Sequence, residues 1–150
     1  MGARGTVTAA DRARSPFGLP HGEPARFVTK VIAHEAGRIC CEGRVPPGSP
    51  YGSDGRCPSF VLIELAAQAA AALASLERPG EPETGSPVGL LVRVRNTRLR
   101  LWDVAEGRVV RAVVRRIASA LPLIVYEMSV VDDAGNEVLS GELGIYTGET

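Results

Sequence analysis

The sequence contains almost no lysine. Of its 17 basic residues only Lys30 is lysine, and 17 acidic residues bring the net charge to zero. That balance argues against a nucleic-acid binder held by bulk positive charge. Arginine suits bidentate recognition of carboxylate or phosphate, although a GC-rich genome raises Arg over Lys without any function attached. Aromatic residues are also scarce, seven in all, so the core must be built from Ala, Val, Leu and Ile. Cys40, Cys41 and Cys57 are odd in number, two are adjacent, and none has metal-type spacing with His. Neither a disulfide framework nor a zinc site is expected, no cofactor is implied, and a reducing cytoplasm fits best. The N-terminus lacks an apolar run of signal-peptide length. The longest apolar stretch, Phe60 to Leu76, is broken by Glu64, Gln68 and Ser75, so no membrane span is expected.

What is present fits one soluble domain. The chain has 150 residues, 45% of them hydrophobic and 23% charged, which excludes whole-chain disorder, collagen and a coiled coil. Residues 1–18 show no sustained apolar period and read as a flexible or loosely docked arm, leaving 19–150 as the domain. Two short β-prone runs, Phe27 to Ile32 and Ile39 to Val45, flank a hairpin turn at His34-Glu35-Ala36-Gly37. Pro46 to Gly55 is dense in Pro, Gly and Ser and reads as a loop. Phe60 to Leu76 is the clearest helix, with Pro58 in its first turn; it is apolar nearly all round, which predicts burial within the domain. Arg78 to Pro87 ends it. Four strands follow: Val88 to Trp102, Arg108 to Ile117, Leu121 to Val131 and Val138 to Tyr146. Their turns fall at Glu106-Gly107, Ser119-Ala120 and Asp132 to Asn136. An antiparallel sheet around one long central helix is an α+β arrangement.

Glu64 and Gln68 lie one helical turn apart on an otherwise apolar helix. A carboxylate there must be hydrogen-bonded, protonated or facing a cavity. Two readings stay open: a general acid or base, or a structural carboxylate paired with an arginine. The junction Asp54 to Ser59 is a second candidate, since free N–H groups at a helix start can hold a carbonyl oxygen and small Ser59 lets a ligand approach. Cys57 at that junction reads as a packed or ligand-lining residue rather than a nucleophile. His21 and His34 read as structural. Arg93, Arg95, Arg98 and Arg100 share one predicted strand. Alternation puts the first two on one face and the last two on the other, unless a bulge near Asn96 realigns them. The stripe is either a solvated edge or a patch for an acidic carrier protein or a phosphate-bearing thioester arm.

These residues carry a resemblance. Leu19-Pro20-His21-Gly22-Glu23-Pro24 with Val28-Thr29-Lys30-Val31 resembles the LPHxxP…VDRV opening of fatty-acid-type 3-hydroxyacyl-acyl-carrier-protein dehydratases. Cys57 to Gln68 resembles their MPGVLxxEALAQ helix start. Asp54-Gly55-Arg56-Cys57-Pro58-Ser59-Phe60 with Ile63-Glu64 is still more similar to the DGRxPAWxGIEYxAQ form of the dehydratase-like proteins of aryl-polyene gene clusters. The resemblance covers about residues 19 to 147 and implies a hotdog fold, usually dimeric, acting on acyl-carrier-protein or coenzyme A thioesters.

By that resemblance Glu64 keeps an acid/base role. Ser59 takes the backbone-donor position, and Gln68 is a second polar group toward the substrate. One departure is decisive: where the fatty-acid enzymes carry a catalytic His, fourteen residues before the helix Glu, this chain has Pro50. Asp54 or Tyr51 of the same loop are the candidates to replace it. Three functions follow: a dehydratase of fatty-acid, polyketide or aryl-polyene synthesis, a non-catalytic subunit pairing with a His-bearing paralogue or holding an acyl carrier, or an acyl thioesterase using Glu64.

Overall fold

In the computed structural model, residues 26–78 and 89–147 are described. The expected N-terminal arm, the segment containing His21, and most of the linker after the helix lie outside them. The elements are β1 (Val28–Glu35), β2 (Arg38–Gly43), β3 (Arg56–Pro58), a 3-10 turn (Ser59–Val61), α1 (Leu62–Leu76), β4 (Leu90–Leu99), β5 (Asp103–Ala105), β6 (Val110–Ala120), β7 (Leu123–Asp132) and β8 (Glu137–Tyr146). Six strands form one antiparallel sheet in the order β1-β2-β6-β7-β8-β4. Helix α1 packs on its face over β6, β2, β7 and β1. Between them lies a core of Phe27, Ile39, Leu62, Leu65, Leu73, Met128, Leu139 and Leu143, all fully buried. Two sequence expectations are thereby met: the α+β class, and a core built chiefly of aliphatic residues.

Three local expectations are corrected. Pro58 does not sit in the first turn of the helix; it ends β3, which pairs with β5 as a separate two-stranded sheet. A three-residue strand gives no detectable period, so its partner had to be known first. The turn after β6 falls at Leu121-Pro122 rather than Ser119-Ala120, because β6 continues in register with β7 through Ala120. The helix is not buried all round. A single sheet covers one side of it, so Phe60 and Ala71 are exposed and Ile63, Glu64 and Ala67 form a half-buried stripe between them, Ile63 and Ala67 still touching the core. By length and hydropathy alone (mean 1.7) Ser59–Leu76 would suffice to cross a membrane. Its Leu62, Leu65, Ala66, Ala69 and Leu73 instead pack into the core.

Two close approaches fix the frame. At Gly43 a side chain would run into the Phe27 carbonyl and the Leu65 side chain, so β2 meets both β1 and the helix here. At the other end of α1, Glu77 joins three elements: Gly37 N–H donates to its Oε1 at 2.6 Å and Arg116 Nη1 to its Oε2 at 2.6 Å, while Arg116 N–H donates to Gly37 O at 2.7 Å. Burial works to raise the Glu77 carboxyl, but the Gly37 N–H and Arg116 outweigh it and hold it below the usual carboxylate range. A depressed folded-state value means that this clasp stabilises the protein above the unfolded carboxyl value. That contribution is lost as pH falls through the folded one. Glu77→Gln is therefore expected to lower stability at neutral pH and to flatten the acid limb of a denaturation-versus-pH profile. An acid limb identical to wild type would refute the clasp.

Candidate active site

Gln68 is buried, and its side chain is completely oriented. Its Oε1 accepts hydrogen bonds from Phe27 N–H (2.9 Å) and Val28 N–H (3.2 Å), the two residues entering β1. With the oxygen so used, the amide turns its Nε2 toward the preceding helical turn, where it donates to Glu64 Oε1 at 3.2 Å. The four-residue spacing does bring these two side chains together, as the sequence predicts. Gln68 positions Glu64 and ties the helix to the sheet. Glu64 sits on the half-buried stripe of α1 with Ala67, next to exposed Phe60, so its carboxylate borders a surface that α1 and the sheet do not close.

The loop before the helix is shaped by its turn chemistry. Asp54 and Gly55 both have positive φ (54° and 71°), and Ser53 and Arg56 exchange N–H···O bonds of 3.0 Å across them. That is the Asp-Gly two-residue turn that favours closure of a tight hairpin. Asp54 accordingly lies exposed at a turn tip, and Tyr51 is also exposed. Arg56 leaves the turn to pair with Asp103 on β5. Cys57 is fully buried, with its Sγ 3.9 Å from Glu106 Oε1.

Glu106 shows in the sequence only as part of a Glu-Gly turn. Its Oε2 accepts from Gly48 N–H at 3.0 Å and its own N–H donates to Gly55 O at 2.8 Å, while Gly107 N–H donates to Val45 O. It thus pins both ends of the Pro46–Gly55 loop that carries Pro50. Only the fold reveals this, because the contacts span about fifty residues.

Ser59 is also reassigned. Its N–H donates to Trp102 O at 2.9 Å and its hydroxyl donates to Leu101 O. A backbone donor to a ligand carbonyl at this helix entry must come from beyond Ser59. His34 lies exposed next to the β1–β2 turn, close enough to Glu77 to influence its charge. Thirteen residues of helix separate Glu77 from Glu64, roughly 20 Å at the helical rise. His34 therefore does not reach Glu64 within one subunit. The thiols offer no nucleophile there either. Burial and the neighbouring Cys40 push Cys41 up to about 12, and none of the three cysteines is bridged.

Elsewhere, an open depression of about 360 Å³ lies at the β7–β8 turn beside Asp132, Asp133 and Gly135. The Asp132 carboxylate is spent on the N–H groups of Asn136 and Ala134 and on Arg108, so it serves the turn. No group of His, Cys, Asp and Glu that would hold a metal occurs among the described residues.

On β4 the expected alternation is overridden. Asn96 has φ +52° and a bulge shifts the register between Arg95 and Arg98, so Arg93, Arg95 and Arg98 lie opposite Gly144, Glu142 and Ser140. Those three partners alternate along β8, so the three arginines share one face. Arg100, beyond the strand, is paired with Glu137.

A six-stranded antiparallel sheet packed on a single helix defines a hotdog-fold protein. The family model described as ApeP dehydratase matches residues 17–150, and the chain belongs to this ApeP-like family. Among solved structures it is similar to the dehydratase heterocomplex ApeI:P from Xenorhabdus doucetiae, with TM-score 0.76 and 23% identity over 88% of this chain and 89% of that one. It is also similar to a hypothetical thioesterase with coenzyme A from Streptococcus pneumoniae (TM-score 0.59, 12% identity, 81% and 86% covered). The E. coli PaaI protein matches with TM-score 0.58 and 15% identity over 80% and 79%. At these identities the structures establish the hotdog fold. No curated protein matches by sequence.

Proposed function

We propose that this chain is the carboxylate-bearing half of a dehydratase assembled from two different hotdog subunits. The single observation that carries this reading is Glu64, held by Gln68 on the half-buried stripe of α1, in a chain with Pro50 at the place of the family's imidazole. The substrate is a 3-hydroxyacyl thioester, on an acyl carrier protein or coenzyme A, in fatty-acid, polyketide or aryl-polyene synthesis. A base from a paralogous subunit removes the proton next to the thioester carbonyl. The electron pair forms the new C=C bond as the C–O bond breaks, and Glu64 gives its proton to the departing hydroxyl, which leaves as water. The protonated base then restores the proton to Glu64. The ApeI:P structure, described as a heterocomplex, supports pairing with a paralogue, and three unbridged thiols support a cytoplasmic setting.

The test is reconstitution. The purified chain alone is expected to give no 2-enoyl thioester, and mixing with a His-bearing dehydratase paralogue is expected to give it. Full turnover by the isolated chain would overturn the two-subunit reading. Release of free thiol without enoyl product would replace it with a thioesterase.

A further inference from the structure

Glu106 stands apart from most carboxylates of this chain. Glu42, Glu77, Asp103, Glu127 and Glu137 each pair with an arginine, whereas among the described residues Glu106 makes no ion pair. It is half-buried in the turn between β5 and β6, and both of its oxygens are spent on the strap that leads into α1. Gly48 N–H donates to Oε2 at 3.0 Å, and the buried Cys57 thiol donates to Oε1 at 3.9 Å.

The other hydrogen bonds of the Pro46–Gly55 loop are local. Ser49 accepts from Gly52 N–H through its carbonyl and from Tyr51 N–H through its hydroxyl, and Ser53 exchanges bonds with neighbouring Arg56. Such bonds give the loop a shape but not a place. Among the described residues, the two hydrogen bonds that tie it to a distant element both end on Glu106: one from Gly48 to its carboxylate, one from its own N–H to Gly55 O. Packing joins in at Gly52, where a Cβ would stand 2.4 Å from Cys57 Sγ, so this limb of the loop rests directly on the thiol that Glu106 holds. A carboxylate suits the position because its two oxygens accept from two donors at once.

The clamped loop carries exposed Tyr51 and runs through β3 into the helix entry, where exposed Phe60 lies one turn ahead of Glu64. We propose that Glu106 is a positioning residue for the dehydration: by holding the loop at Gly48, Gly55 and Cys57 it fixes the wall against which the thioester is seated beside Glu64. The inference rests on the dehydratase reading above and adds a residue that acts only through the loop. Loosening a supporting contact of this kind costs substrate affinity while the Glu64–Gln68 pair stays in place.

The experiment compares wild type, Glu106→Ala and Glu106→Gln in the two-subunit protein reconstituted with a His-bearing paralogue. The glutamine is the conservative change, since its oxygen still accepts from Gly48 N–H and its amide can donate to the Cys57 sulfur. Binding is titrated by calorimetry with a saturated acyl-pantetheine thioester that lacks the 3-hydroxyl, and loop opening is read by amide hydrogen exchange. E106A is expected to weaken Kd for this probe and to raise KM about tenfold, the scale of one lost hydrogen bond to a charged acceptor, with kcat and its pH profile unchanged. Its Gly48 amide is expected to exchange faster while the amides of α1 keep their protection. E106Q is expected to stay close to wild type in all these readouts. Glu106→Asp, which keeps the charge but withdraws the oxygens by one methylene, is expected to shift Kd in the same direction and carries the test if E106A does not fold. A carboxylate that merely supports the fold would lower thermal stability and the active fraction, hence apparent kcat, and leave KM and Kd unmoved. That result, unchanged exchange at Gly48, or an E106Q as impaired as E106A would overturn the inference. The probe needs no turnover, so wild type that binds it but forms no enoyl product removes the dehydratase reading, whereas equal Kd for wild type and E106A removes only the role of Glu106.

Discussion

Glu64→Gln is expected to abolish formation of the 2-enoyl thioester in the reconstituted two-subunit protein while leaving the fold intact. The replacement has the same shape, and its amide oxygen still accepts from Gln68 Nε2, so the helix start keeps its hydrogen bond. What disappears is the proton that the proposed reaction takes from Glu64 to the departing hydroxyl. A positioned general acid contributes about 10²–10⁴-fold to rate, and a loss of that size in kcat with little change in KM is the expected signature. Enoyl product is followed by absorbance or mass, and assembly with the partner by sedimentation. Turnover close to wild type in a correctly assembled complex would remove Glu64 from the chemistry and leave it a structural carboxylate.

Gln68→Leu is expected to be the most damaging single change to stability near the site. Leucine fills similar space, but two buried N–H groups, those of Phe27 and Val28, lose the Gln68 Oε1 that accepts from both. Each orphaned buried donor costs about 1–3 kcal/mol, so a loss of about 2–5 kcal/mol is expected in chemical denaturation. Gln68→Glu separates the structural role from the positioning role. Its carboxylate still accepts from both N–H groups, but it withdraws the donor to Glu64 and sets a like charge one turn away, which raises the apparent pKa of the pair. That variant is expected to be more stable than Gln68→Leu, yet to shift the pH–rate profile of the reconstituted enzyme upward. An unchanged profile together with near-wild-type kcat would reduce Gln68 to a packing residue.

A helix covered by sheet on one side only leaves Phe60 exposed and Glu64 half-buried beside Ile63 and Ala67, which pack partly against the core, while β4 forms one edge of the sheet. The acid clasp at Glu77 lies at the far end of the helix and anchors it to the β1–β2 hairpin and β6.

The amino-acid sequence by itself determined the elements whose signals are local. A seventeen-residue apolar stretch interrupted only at Glu64, Gln68 and Ser75 is a helix whatever surrounds it. Alternating runs between Gly- and Asp-containing turns are strands, and four-residue spacing puts Glu64 and Gln68 on one face because 3.6 residues make a turn. Pro50 in place of an imidazole was likewise legible as soon as the motif was aligned. The tertiary structure decided everything that depends on partners distant in the chain. β3 exists only because Arg56–Pro58 meets Asp103–Ala105. The Ser59 N–H is lost to a ligand because Trp102 O takes it. Gln68 turns toward Glu64 because the β1 backbone occupies its oxygen. Three arginines share a face because the β4–β8 ladder shifts register at Asn96. A hydrogen bond or a ladder register is a property of two segments together, and neither segment's composition records the other.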